Sequence, residues 1–143
     1  MSAPRRERVA RYEAFLAAKL QPDLRKLLER RDAIYAEIAE YLKLKNQIEL
    51  IEQQQRGSDD PMRTMVDVGC DFFMQAEVTN ATVINVLVGL DCHVEFTLDE
   101  AVQFIDTREK YLTNRADNLT EDAMKIKAQI KLVLAAIQEV LDA

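Results

Sequence analysis

The sequence predicts an α+β fold: a long antiparallel α-helical coiled-coil hairpin with two β-hairpins between its helices. Three observations predict it. The pattern Val-x-Val-Gly-x-Asp occurs at Val66, Val68, Gly69 and Asp71, and again twenty residues later at Val86, Val88, Gly89 and Asp91. Apolar residues recur at seven-residue spacing before this repeat and after it. Between the two helical stretches the apolar period falls to two, as in half-buried strands.

The chain has 143 residues, is 48% hydrophobic and is 31% charged. That length is expected to form one domain, spanning residues 1–143. No apolar run approaches the ~18–20 residues of a spanning helix. The N-terminus carries Arg5, Arg6, Arg8 and Arg11 without the apolar core of a secretory signal. Cys70 and Cys92 then read as free thiols of a reducing compartment. The net charge of −6 is unevenly spread: residues 1–63 carry +2, residues 64–107 carry −8 with no Lys or Arg, and residues 108–143 are neutral. The acidic middle argues against nucleic acid there. It suits a basic partner surface, or a solvated rim that aids solubility.

The first helix is predicted over about residues 5–56. Leu20, Leu27, Ile34, Tyr41 and Ile48 form an apolar heptad series, with Leu28, Tyr35 and Leu42 as a second stripe beside it. The partner track is irregular, since Arg31 and Lys45 fall on it, so the seam is expected to drift around the helix. Pro22 removes an N–H and clashes with the preceding turn. Two readings remain: a kink or short break, or a new helix that starts with Pro22 in its first turn. Gly57-Ser58-Asp59-Asp60-Pro61 is expected to stop the helix.

Residues 62–97 then read as two tandem hairpins. Val66 and Val68 alternate with Met65 and Asp67, and on the return strand Phe72, Met74, Ala76 and Val78 alternate with Phe73, Gln75 and Glu77. The strand from Val83 to Val88 is apolar on both faces apart from Asn85, and is expected to be buried on both. Thr97-Leu98-Asp99-Glu100 is a capping box. The second helix, over about residues 98–142, has d positions Ile105, Leu112, Leu119, Ile126, Val133 and Val140. Its a positions are Val102, Glu109, Ala116, Ala123, Ile130 and Ile137, of which only Glu109 misfits a buried seam. Helices of this length in so short a chain must pair with each other, antiparallel, with both termini at one end. Four short strands cannot bury their own apolar faces and leave free edges, so pairing with other subunits is expected.

This layout of helix, two hairpins and helix resembles the α class of prefoldin subunits. The β class carries one hairpin, so the doubled Val-x-Val-Gly-x-Asp is the discriminating feature. The resemblance covers nearly the whole chain. It is carried by Arg11-Tyr12-Glu13-Ala14-Phe15, Asp23-Leu24-Arg25-Lys26, Val66-Asp67-Val68-Gly69-Cys70-Asp71-Phe72-Phe73 and Ala101-Val102-Gln103-Phe104-Ile105-Asp106. Leu119-Thr120-Glu121-Asp122-Ala123-Met124-Lys125-Ile126-Lys127-Ala128 extends it. Pro22, Gln53-Gln54-Gln55 and the Gly57–Pro61 linker depart from the pattern.

The resemblance implies a hetero-hexamer of two α and four β subunits. Strands form its platform, and helical tips hold unfolded clients without ATP or any other cofactor. Prefoldin-like members of the family further imply a complex with the R2TP assembly chaperone, and links to nuclear transcription factors. Cytoplasmic and nuclear localisation is expected, with no direct contact to nucleic acid or membrane.

Val9, Tyr12, Phe15 and Leu16, with Leu134, Ile137 and Leu141, are the candidate client contacts at the coiled-coil tips. Zipping of the coiled coil is the simpler role for Ile137, Val133 and Val140, whereas Phe15, Leu134 and Leu141 are better placed for adhesion. Val66, Val68, Phe72, Phe73, Val86, Val88, Val94 and Phe96 are the candidate oligomer-interface residues, and intramolecular packing is compatible with about half of them. Cys70, Cys92 and His93 fall short of a metal set, with no C-x-x-C pair and one His. No nucleotide loop or nucleophile elbow is present, so no catalytic residue is assigned. The leading reading is a non-enzymatic co-chaperone subunit. The alternative is a nuclear scaffold or transcriptional cofactor that binds particular folded partners, and a structural homo-oligomer is third.

Overall fold

The structure, a computed structural model, describes residues 3–57, 62–78 and 80–142. Its elements are α1 (Ala3–Phe15), a π turn (Leu16–Leu20), α2 (Gln21–Gly57), β1 (Met62–Asp67), β2 (Phe73–Val78), β3 (Val83–Gly89), β4 (Cys92–Thr97) and α3 (Leu98–Asp142). Two compact units are formed, one from Met1–Ile38 with Tyr111–Ala143 and one from Ala39–Lys110. Among the described residues, no helix is long and apolar enough to cross a membrane. Helix α2 ends at Gly57, and the rest of the expected stop signal, Ser58 to Pro61, lies outside the described residues.

Pro22 stands in the first turn of α2 with Asp23, as in the second of the two readings. Helical geometry continues through it, but Leu16–Leu20 is a π turn, in which the Gln21 N–H donates to the Leu16 carbonyl five residues back. A π turn holds one more residue than an α turn, and it re-phases the apolar stripe. Counting back in sevens from Ile38, Arg31 and Leu24 leads to Ala17 and Ala10, which are exposed. The covered residues lie one place earlier, at half-buried Leu16 and buried Val9. Tyr12 replaces Glu13 in the same way. Of the second stripe, Leu28 is half-buried while Tyr35 and Leu42 are exposed, and the Arg31 guanidinium lies 5.8 Å from the Tyr35 ring centre.

In the unit from Ala39 to Lys110, the core is Ile48, Val86, Leu98, Ala101 and Ile105. Tyr41 meets Phe104 edge-on at 6.3 Å, and Phe104 stacks on Phe96 at 5.5 Å. Lys45 Nζ donates to Asp106 Oδ1 at 2.6 Å. Glu52 and Gln55 of α2 line one hollow with Leu98 and Asp99 of α3, whereas Lys45, earlier in α2, reaches Asp106, later in α3, so the two helices run antiparallel. The Asp106 hydrogen bond raises the Lys45 pKa above its ordinary 10.5, opposed by partial desolvation and reinforced by the charges of Asp106, Glu109 and Glu49. Glu109, the misfit of the predicted seam, therefore serves the Lys45 charge. The seam at this end of α3 runs through Ala101 rather than Val102, then through Ile105, Leu112, Ala116 and Ala123, all buried.

The hairpins form two separate two-stranded sheets, β1–β2 and β3–β4. Both repeat the same geometry. Val66 pairs with Met74, and its repeat equivalent Val86 pairs with Val94. Cys70 and Asp71 have φ of 53° and 60°, Leu90 and Asp91 of 50° and 56°, the two positive-φ centres of a type I′ turn. The Phe72 N–H donates to the Gly69 carbonyl at 3.1 Å to close the first. Gly69 and Gly89, at φ of 111° and 130°, stand where other residues are strained. The repeated motif is thus a turn code, with glycine before two left-handed residues and Asp, which tolerates that region, as the second.

The capping box forms as the sequence predicts. The Thr97 N–H and hydroxyl donate to Glu100 Oε2 at 3.0 and 2.8 Å, and the Glu100 N–H donates to Thr97 Oγ1 at 3.4 Å. The Thr97 backbone N–H first, and its hydroxyl second, hold the Glu100 carboxyl below its ordinary pKa of 4.5. A lowered folded-state pKa gives a contribution that is full above pH 4.5 and lost as pH falls through the lowered value. Thr97→Ala is expected to cost about 0.5–2 kcal/mol in urea unfolding and to flatten the acid limb of stability against pH. An unchanged acid limb would count against the cap.

Candidate functional site

The two hairpins share a register but not an environment. In the first, Met62, Thr64, Val66 and Val68 lie on one face with Phe72, Met74, Ala76 and Val78. This face is apolar apart from Thr64. Its base is half-buried, whereas Val66, Val68, Phe72 and Met74 are exposed. In the second, the equivalent face carries Ile84 and Val86 opposite Phe96 and Val94, and it packs on Ile48, Leu98, Ala101 and Ile105. The contrast is sharpest at the equivalent valines: Val86 is 2% exposed and Val66 45%.

The eight candidate interface residues therefore separate. Val66, Val68, Phe72, Phe73 and Val94 are exposed, Val88 and Phe96 are half-buried, and Val86 is buried inside the chain. Val86 offers no surface to a partner, because the helices of its own unit cover it. β3 departs from the expectation of burial on both faces: Leu87 and Asn85 point to its open side. The sequence reading passed over exposed Met65 and Met74, and Leu90, which at 99% exposed stands at the tip of the second turn. Chemical variety between the repeats hides them, since Met74 aligns with Val94 and Leu90 with Cys70.

Of the candidate client contacts, Val9 is buried, Tyr12, Leu16 and Ile137 are half-buried, and Phe15, Leu134 and Leu141 are exposed. Leu132, off the predicted seam, is exposed as well. Cys70 and Cys92 are exposed free thiols at the two turns. Among the described residues, no group of three or more His, Cys, Asp or Glu converges on a common point.

A paired-helix chain with two I′ hairpins between the helices defines the prefoldin class, and the comparisons agree. The family described as "Prefoldin subunit" matches residues 20–143, so the chain belongs to the prefoldin family. Protein UXT of Bos taurus is 42% identical over 93% of this chain and 83% of its own length. A UXT homolog of Nematostella vectensis is 43% identical over the same shares. Among solved structures, the filamentous PFD of Methanocaldococcus jannaschii superposes with a TM-score of 0.68 at 18% identity, covering 84% of this chain and 96% of that one, a likeness of fold. The chain is thus a prefoldin-like subunit, a chaperone-like class of protein, similar to the UXT proteins.

Proposed function

We propose that this chain is a non-enzymatic α-type subunit of a prefoldin-like hetero-hexamer in cytoplasm and nucleus, which assembles through its hairpins and meets unfolded or assembling clients with the ends of its coiled coil. One observation carries the reading: hairpin β1–β2 repeats the geometry of β3–β4 but leaves Val66, Val68, Phe72 and Met74 of its apolar face exposed. An isolated two-stranded hairpin is marginal in water, and four free strand edges invite pairing. Covering that face needs apolar residues from another chain, and membership of the prefoldin family supports other prefoldin-type subunits as its source. Native mass measurement of the complex from its own cells tests this. A six-subunit complex of several chains supports it. A one-to-one complex with a transcription factor supports the scaffold reading instead, and delivery to an R2TP-type chaperone would show as co-purification.

Phe15, Leu134 and Leu141 are the exposed apolar side chains among the candidate client contacts. Burying each against a client is worth about 1.5–3 kcal/mol at most, which suits reversible holding by several weak contacts. The triple variant Phe15→Ser, Leu134→Ser, Leu141→Ser is expected to assemble at full mass yet lose most of its suppression of client aggregation in light scattering. Undiminished suppression would remove these residues from the proposal.

A further inference from the structure

The last two turns of α1 carry a feature that general client adhesion does not use. Arg8, Arg11, Tyr12 and Phe15 line a surface groove of about 400 Å3. Their spacing of three, four and seven residues places them on one helix face. Val9 and Leu16 are the covered side of the same helix, and the π turn sets that orientation. Arg8, Arg11 and Phe15 are exposed, with Tyr12 half-buried between them. Six basic side chains, Arg25, Arg31, Lys43, Lys45, Arg63 and Lys125, have a carboxylate partner, and others, such as Lys26 and Arg30, have none among the described residues. Among the described residues, Arg8 and Arg11 have none. The groove also lies before residue 20, where the match to the prefoldin family begins.

We infer that this groove binds an acidic peptide segment bearing an apolar anchor, with Arg8 and Arg11 taking its carboxylates and Tyr12 and Phe15 its apolar side chain. The inference deepens the client reading and rests on it only for the identity of the occupant as a client or assembling partner. A guanidinium offers a planar fork that fits a carboxylate in two hydrogen bonds, and two unpaired forks one helical turn apart fit two acidic side chains. The aromatic pair supplies apolar area at small entropic cost. A polyanionic nucleic acid fits less well, because Glu7 and Glu13 interleave with the arginines and the chain carries a net −6.

The test uses the full chain in its native assembly and fluorescence anisotropy of three labelled peptides: an Asp/Glu peptide containing Leu and Phe, the same peptide with Lys at the acidic positions, and the acidic peptide with Ser at the apolar positions. The first is expected to bind about tenfold tighter than either control and to weaken with added salt. Arg8→Glu with Arg11→Glu is expected to remove the preference for acid and reverse it towards the Lys peptide. Phe15→Ser is expected to weaken both apolar peptides alike. Circular dichroism and native mass confirm that these surface variants still fold and assemble. An unchanged acidic preference in the double Glu variant overturns the inference, as does tighter binding of a short oligouridylate than of the acidic peptide. If the wild-type assembly suppresses no client aggregation while the peptide preference holds, the general client reading fails and the groove stands as a partner site.

Discussion

Val86→Asp is expected to destabilise the chain itself by about 3–5 kcal/mol, the cost of an unpaired charge in an apolar core, while Val66→Asp leaves the chain folded and abolishes assembly. The two valines are equivalent in the repeat, twenty residues apart, and pair with equivalent partners, Met74 and Val94. Their environments differ. Val86 is enclosed by Ile48, Leu98, Ala101 and Ile105, and those residues cannot solvate a carboxylate. Val66 looks into solvent, where an Asp is hydrated at little cost to the single chain. Once another subunit covers that face, however, the same Asp must be desolvated. Urea unfolding of the isolated chain and native mass of the reconstituted complex separate the effects. A stable Val86→Asp chain would mean that the β3–β4 hairpin is not seated on the helices. A Val66→Asp chain that assembles at full mass would remove the exposed face of β1–β2 from the interface.

The same pair shows where sequence pattern stops. Turn geometry was legible because it is local: Gly-x-Asp after alternating valines encodes a glycine and two left-handed residues, and both copies fold that way. The capping box was legible for the same reason, since Thr97 and Glu100 satisfy each other's N–H groups within one turn. Which hairpin is covered was not legible, because β1 and β3 carry the same valines and only the residues beneath them differ. Tyr41, Phe96 and Phe104 come from three elements, and their ring contacts have no signature in any one of them. Glu109 looked like an error in a heptad until Lys45 and Asp106 came beside it. The exposure of Phe15, Leu134 and Leu141 followed from their places off the seam, whereas the groove at Arg8 and Arg11 depends on a helix phase that counting in sevens misplaces by one residue.

That phase yields the second large effect. Inserting one alanine after Ala18 is expected to detach α1, whereas deleting Ala18 together with Pro22→Ala is expected to keep it docked. In the native chain the π turn absorbs one extra residue, so Val9, Tyr12 and Leu16 continue the stripe of Leu20, Leu27 and Ile34. Removing Ala18 lets a continuous α-helix place the same three residues on the same stripe, and replacing Pro22 removes its clash with the carbonyl four residues back. An insertion rotates α1 by a further ~100°. It then presents Ala10, Glu13 and Ala17 to the covered side and exposes Val9 and Leu16. Losing the burial of those two side chains costs about 3 kcal/mol, enough to open α1 without unfolding the unit Ala39–Lys110. Hydrogen exchange reads this directly: amides of α1 in the insertion variant are expected to exchange about a hundredfold faster, with Ile48 and Ile105 still protected. If insertion and deletion leave α1 equally protected, the phase of the stripe does not hold this helix in place, and the extra residue at Leu16–Leu20 is a response to Pro22 alone.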